Sequence, residues 1–129
     1  MIVSEELEAI EPLWKAGLEA AYSAYFPATA GLGEPQAARV ALAAALVEIA
    51  LELQRLGGQA PPPPPDLLRG DLCLARASRL LADTRDRRLQ IAFARAIEDQ
   101  SAAAAAGREA QPTRSRLLRA IGESAGAAA

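Results

Sequence analysis

The chain has 129 residues, a formal net charge of −2, 51% hydrophobic residues and only 4% aromatic residues. Its charges form no basic cluster of the kind that binds nucleic acid, and no apolar run is long enough to cross a bilayer. Residues 1–10 carry three glutamates and no basic start, which does not resemble a secretory signal. We therefore expect a single cytoplasmic domain of residues 1–129 that binds no nucleic acid and has no integral membrane association. Alanine supplies nearly half of the apolar residues, which favours closely packed helices over a shallow core.

The first predicted helix covers residues 4–25. Ser4 is suited to cap it, and apolar side chains recur on one face every three or four residues, at Leu7, Ile10, Trp14, Leu18, Ala21 and Tyr25. Pro12 lies inside this pattern and predicts either a kink or a second helix start at Glu11. Residues 26–33 are rich in Pro, Gly and Thr and are predicted to form a loop.

The second predicted helix covers residues 35–56 and stops at a pair of glycines. It is apolar almost all round, with a narrow polar strip at Glu48, Glu52 and Arg55. Such a helix is usually central in its bundle or covered by another chain. The two glutamates are four residues apart and could hold a metal ion between them, but a solvated strip explains them at least as well. Residues 59–65 read QAPPPPP and are predicted to be a semi-rigid polyproline linker.

The third predicted helix begins near Asp66 and ends near residue 82. One of its sides is apolar or small, at Leu67, Gly70, Leu74, Ala77 and Leu81. Glycine costs a helix about 1 kcal/mol relative to alanine, which suggests that Gly70 has a packing reason. A second row on this helix is small and mildly polar, at Asp71, Ala75, Ser78 and Ala82. Either the helix belongs to the core of this domain, or these two rows have two neighbours, one of them another chain.

The fourth predicted helix covers residues 86–106 and is stopped by Gly107. Its apolar face consists of Leu89, Ala92, Phe93, Ala96 and Ile97. A last short helix is predicted over residues 113–122, with residues 123–129 as a frayed tail. Nothing in the chain indicates a strand. The predicted fold is therefore all-α, a small antiparallel bundle of four to five helices.

The residues offer little catalytic chemistry. The chain has no histidine, and its single cysteine, Cys73, lies among apolar residues of the third helix, where a buried and inert thiol is expected. No glycine-rich phosphate loop and no zinc pattern is present in the sequence. We therefore predict no catalytic residues, no metal site and no cofactor.

Two segments resemble a known family. LLRGDLCLARASRLLAD, followed by LQIAFARAIEDQSAAAAAG, resembles the helix pair after the first aspartate-rich motif of trans-polyprenyl diphosphate synthases, with matches at Leu68, Gly70, Asp71, Leu74, Ala77, Leu80 and Leu81. Upstream, VALAAALVEIALELQRLGG resembles the helix that ends in DDxxD in the active enzymes, but here it ends without an aspartate pair. The second aspartate-rich motif has no counterpart in this sequence. The part of the chain that resembles this family spans residues 34–107.

In that family the missing aspartates bind the magnesium ions that hold the allylic diphosphate. The chain is therefore most similar to the small, non-catalytic subunit (component I) of heterodimeric medium-chain prenyl diphosphate synthases of the hexaprenyl or heptaprenyl type. The resemblance implies a truncated isoprenoid-synthase-like bundle. It also implies a heterodimer with a larger catalytic subunit, whose activity and product chain length this chain would support in isoprenoid biosynthesis, including menaquinone side chains.

The resemblance also implies where the partner would bind. The third helix would lie at the subunit interface and border the tunnel of the growing prenyl chain, with the fourth helix supporting it. The candidate interface or tunnel-lining residues are Leu67, Gly70, Asp71, Leu74, Ala77, Leu81, Leu89, Phe93, Ala96 and Ile97.

Two alternatives stay open from the sequence. The chain could be a free-standing homodimeric adaptor or scaffold unrelated to prenyl transfer, and a homodimer could also form when a larger partner is absent. It could instead act alone as an enzyme or small-lipid binder that uses the apolar surroundings of Trp14, Tyr22 and Phe93.

Overall fold

Five α-helices and two short helical segments make up the part of the chain that the computed structural model describes, residues 12–54, 63–108 and 112–128. A π-helical turn, Trp14–Leu18, leads into α1 (Glu19–Tyr25), and a 3-10 helix follows at Phe26–Leu32. The remaining helices are α2 (Gln36–Gln54), α3 (Pro64–Thr84), α4 (Arg87–Ala105) and α5 (Thr113–Ala128). These residues contain no strand, so the prediction of an all-α bundle is confirmed.

Helix α2 forms the centre of the bundle. Helix α3 packs along it, and α1, the 3-10 helix and α5 cover its other sides. The side chains of α2 are buried almost without interruption from Val40 to Leu51. Of the two alternatives for this apolar helix, the described residues show a central position, in which the cover comes from the chain's own helices.

The segment between α1 and α2 differs from the prediction. Residues 26–33 were expected to form a loop, but Phe26–Leu32 is a 3-10 helix. Pro27 fits its first turn because the missing amide hydrogen is not needed there, and the Thr29 hydroxyl donates to the carbonyl oxygen of Phe26 over 2.7 Å. Helix α5 packs on this segment, and a Cβ atom on Gly31 would lie 3.2 Å from the Cβ atom of Ala125.

The start of α3 lies within the proline run. The helix begins at Pro64 rather than near Asp66, because proline is well suited to a first helical position, and Asp66 lies in the first turn without capping it. Pro63 before it is extended, with φ −57° and ψ 144°, as expected of a polyproline segment. The rest of the predicted linker lies outside the described residues, as do residues 1–11 with the predicted cap and first turns of the first helix.

The ends of α4 agree with the sequence, but the end of α5 does not. Asp86 caps α4, where its carboxylate accepts a hydrogen bond from the Leu89 backbone NH over 3.1 Å, and Gly107 follows the helix with φ +67°. Helix α5 was expected to end at Gly122 before a frayed tail, but it continues to Ala128. The alanine-rich end favours helix, and the Ser124 hydroxyl donates to Asp86 at the start of α4. None of the described helices combines the length and the apolar content that crossing a membrane requires.

Candidate functional site

A groove of about 390 Å³ lies between α3 and α4. The two helices are joined only by Arg85 and Asp86, yet they approach each other less closely than α2 and α3 do, which leaves the groove open along the hairpin. Val47 of α2 contributes to its lining. The other lining residues are Leu74, Ala77, Ser78 and Leu81 of α3, and Arg87, Gln90, Ile91, Phe93, Ala94 and Ile97 of α4. The groove is thus mostly apolar, with Arg87 and Gln90 near the turn and Ser78 at its middle.

The groove brings together several residues that the sequence predicted as interface or tunnel-lining candidates. These are Leu74, Ala77, Leu81, Phe93 and Ile97. Ile91, which lies at the edge of the groove and is 45% exposed, and Ala94 were not predicted, whereas Ser78 beside them belongs to the predicted second row of small residues on α3. The spacing of Arg87, Ile91, Ala94 and Glu98 along α4 indicates a second stripe, separate from the predicted apolar face.

The other predicted candidates lie elsewhere on the hairpin. Leu67 is exposed in the first turns of α3, as is its neighbour Leu68. Leu89 is buried and lies on the side of α4 that faces α5, and Ala96 is buried too. The structure does not bring these three candidates into the groove, and their part in a subunit interface stays a prediction.

Gly70 and Asp71 are explained by a contact within the chain. A Cβ atom on Gly70 would lie 2.7 Å from Cγ of Gln54, at the end of α2, so the Gln54 side chain could not keep its position beside a larger residue. The Gln54 side-chain amide donates to the Asp71 carboxylate over 2.9 Å. Of the two explanations left open by the sequence, the neighbour of Gly70 in the described structure is therefore α2 of the same chain.

A second polar arrangement lies at the opposite side of α2, around Glu48. Its Oε1 atom accepts from the Tyr25 hydroxyl over 2.8 Å, and the Arg114 guanidinium binds both carboxylate oxygens, with Nε 2.9 Å from Oε1 and Nη2 2.7 Å from Oε2. The guanidinium carbon lies 5.9 Å from the centre of the Tyr25 ring. Glu48 thus joins α1 and α5 to the centre of the bundle.

The interpretation of Glu48 as part of a solvated strip is wrong, because Glu48 is only 9% exposed. Glu52, one turn on, is exposed as expected. The alternative of a metal ion between the two is not supported by the geometry, because both Glu48 oxygens already accept hydrogen bonds from Arg114. Among the residues that the structure describes, no group of three or more metal-ligating side chains is positioned to hold an ion.

Burial and neighbouring groups shift the pKa values of Tyr25, Glu52 and Arg114, which lie near Glu48. Burial raises the pKa of the Tyr25 hydroxyl far above its ordinary value, and the neighbouring Glu48 carboxylate adds to the increase. The hydrogen bonds to Glu48 raise the pKa of Arg114. Burial, and then repulsion from Glu48, raises the pKa of Glu52. This arrangement is a structural connection between helices rather than a site with an available acid or base.

Cys73 behaves as predicted. Its side chain is fully buried on the face of α3 that packs against the core, and burial raises the pKa of the thiol to about 11. The thiolate that would act as a nucleophile is therefore scarce at neutral pH.

Comparison with known proteins gives no family assignment. No protein-family model matches the chain, and neither a curated protein nor a solved structure is significantly similar to it.

Proposed function

We propose that this chain is a non-catalytic regulatory subunit that binds a larger prenyl diphosphate synthase subunit through the α3–α4 groove. In that role it supports the activity and the product chain length of the catalytic subunit in isoprenoid biosynthesis, including the supply of menaquinone side chains. The observation that carries the proposal is the groove itself. It gathers residues of α3 and α4 that the resemblance assigns to the subunit interface, such as Leu74, Leu81 and Phe93.

The groove has the character of a surface that accepts a helix. Its floor and walls are mostly apolar, and Ile91 remains 45% exposed at its edge, so a partner side chain could remove apolar surface from water at both places. Recognition of an amphipathic helix by an apolar groove is a common mode of protein binding. A helix of the larger subunit is the occupant that fits this shape.

The role of the chain in such a complex is mechanical. Helix α3 is fixed to α2 by the burial of Cys73 and Ala77 and by the hydrogen bond between Gln54 and Asp71. A helix held in this way offers a rigid surface against which the catalytic subunit's helices can pack. The position of those helices would then limit the space in which the product extends.

The test is reconstitution. The purified chain is mixed with a candidate large subunit that carries both aspartate-rich motifs, and the transfer of labelled isopentenyl diphosphate to an allylic diphosphate is measured together with product length. We expect the mixture to be more active than the large subunit alone, with a different product length. No gain in prenyl transfer on adding this chain would remove the proposal.

A matched pair of variants locates the binding surface. Ile91→Glu places a charge at the edge of the groove and should weaken the activation by about tenfold, because the charge must be desolvated on binding. Ala102→Glu places the same charge on an exposed position of α4 that does not line the groove and should leave the activation unchanged. Equal effects of the two variants would show that the partner binds elsewhere.

A further inference from the structure

We infer that, when no other partner occupies the groove, the α3–α4 hairpin pairs with the same hairpin of a second copy of this chain, about a twofold axis through the middle of the groove. The inference rests on the charges and side-chain sizes along the groove and does not depend on the proposal of prenyl transfer.

The edges of the groove carry opposite charges at their two ends. On α4, Arg87, Ile91, Ala94 and Glu98 are spaced by four, three and four residues and form one stripe, which starts with a cation and ends with an anion. On α3, Asp71, Leu74, Ser78 and Leu81 form a stripe that starts with an anion, and the cation Arg85 follows the helix in the turn. Because the two helices are antiparallel, both cations lie at the turn and both anions at the open end.

Asp86 does not cancel the cations at the turn. Its carboxylate is directed toward α5 and the start of α4, where it accepts hydrogen bonds from the Leu89 backbone NH and the Ser124 hydroxyl. Neither Arg87 nor Glu98 forms an ion pair with any residue in the described ranges. The charges at both ends of the α4 stripe are therefore available to a partner.

A twofold axis perpendicular to the groove reverses its direction in the second copy. The turn of one hairpin then lies over the open end of the other, so Arg87 of each copy faces Glu98 of its partner copy. A rise of about 1.5 Å per helical residue separates these two residues by about 16 Å, which places one set of opposite charges at each end of the contact. The same axis brings Arg85 in the turn toward Asp71 of the other copy, whose carboxylate also accepts the hydrogen bond from its own Gln54. A second copy thus supplies the complementary charges by symmetry alone.

The middle of the groove is suited to the same arrangement. Ile91 projects at the edge with 45% of its surface exposed, and the small side chains of Ser78 and Ala94 leave room beside it. Near the twofold axis, Ile91 of each copy can enter the space over these small residues in the other. The result is an antiparallel four-helix contact with an apolar centre and charged ends.

The experiment measures the mass of the full chain by sedimentation equilibrium across a wide range of concentrations. We expect a dimer that dissociates on dilution. Arg87→Glu and Glu98→Arg should each raise the dissociation constant by about tenfold, because like charges then face each other at both ends. The double variant R87E/E98R should restore the dissociation constant to within about threefold of the original, since both ends again carry opposite charges. Arg119→Glu, an exposed change on α5, is the matched control and should have no effect.

Two outcomes of the sedimentation experiment would overturn the inference. A chain that stays monomeric at every concentration overturns the inference, and so does a double variant that remains as weak as the single ones. Circular dichroism of each variant shows that the fold is retained. A monomer that still activates a large subunit would remove this inference and keep the proposed function. A dimer with the expected charge compensation that does not activate a large subunit would keep this inference and remove the proposed function.

Discussion

Tyr25 and Glu48 form a hydrogen bond that connects the outer helix α1 to the middle of α2, with the phenol oxygen 2.8 Å from the carboxylate. Arg114 completes the arrangement from α5 by binding the same carboxylate with two hydrogen bonds. The consecutive helices α1 and α2 and the distant helix α5 are therefore joined at one side chain.

Replacing Glu48 should destabilise the fold. Glu48→Ala leaves the Tyr25 hydroxyl without its acceptor and Arg114 without its carboxylate. We expect a loss of about 2 kcal/mol in the free energy of unfolding, less than for a fully buried pair because Arg114 is 46% exposed. Urea unfolding followed by circular dichroism measures the change. Tyr25→Phe should cost about 1 kcal/mol, the usual contribution of one hydrogen bond. Glu123→Ala, at an exposed glutamate of α5, serves as control; a loss as large as that of Glu48→Ala would contradict the assignment.

Replacing Glu52 should have the opposite effect and stabilise the fold at neutral pH. Its pKa is raised by burial and by Glu48, so the folded chain holds this proton more tightly than the unfolded chain does. Ionised Glu52 therefore lowers the free energy of unfolding at neutral pH. This loss of stability disappears as the pH falls below the ordinary pKa of a glutamate, because Glu52 is then protonated in both the folded and the unfolded chain. Glu52→Gln should stabilise the chain at pH 7 and have little effect near pH 4. Unfolding curves at both pH values test this, and a variant that is equally stabilised at both would show that charge is not the cause.

The contact between Gly70 and Gln54 predicts a coupling between the two positions. Gly70→Ala adds a methyl group 2.7 Å from Gln54 Cγ, so the Gln54 side chain must move and lose its hydrogen bond to Asp71. We expect the variant to be less stable by about 1 kcal/mol despite the better helix propensity of alanine. In a Gln54→Ala background the same change should be stabilising by about 1 kcal/mol, because only the propensity remains. Identical effects in the two backgrounds would rule out the contact as the reason for glycine.

Cys73 should react only when the chain unfolds. Its thiol is buried and has a pKa of about 11, so both access and ionisation are unfavourable in the native state. At pH 8 we expect slow labelling by a disulfide reagent, and fast labelling in urea concentrations that unfold the chain. The absorbance of the released thiolate follows the reaction. Fast labelling of the native chain at pH 8 would mean that α3 separates from α2 readily.

Local sequence patterns predicted much of the helical framework correctly. The spacing of Leu89, Phe93 and Ala96 identified the buried face of α4, and Asp86 and Gly107 marked its two ends correctly. These features depend on residues within a few positions of each other, which is the range over which capping and periodicity act. The 3-10 helix at Phe26–Leu32 was missed because its glycine and proline are equally typical of loops.

The role of Glu48 could not be found in the same way. Its partners lie 23 and 66 residues away, and a glutamate in an alanine-rich helix looks the same whether it meets water or an arginine. Ile91 poses a similar problem, because only the separation of α3 from α4 shows that it borders a groove. Tertiary geometry decides both cases, and no local pattern carries that information.

The buried alanines of α2 limit which amino-acid substitutions this protein can tolerate. Ala41, Ala43, Ala44, Ala45 and Ala50 are completely buried, so the backbones around them lie about as near as side chains allow. Enlarging any of these methyl groups would force whole helices apart, at a cost of roughly 1–3 kcal/mol each. Substitutions that preserve the fold are therefore expected on the outward faces, where a new binding surface could arise while the buried alanines of α2 stay small.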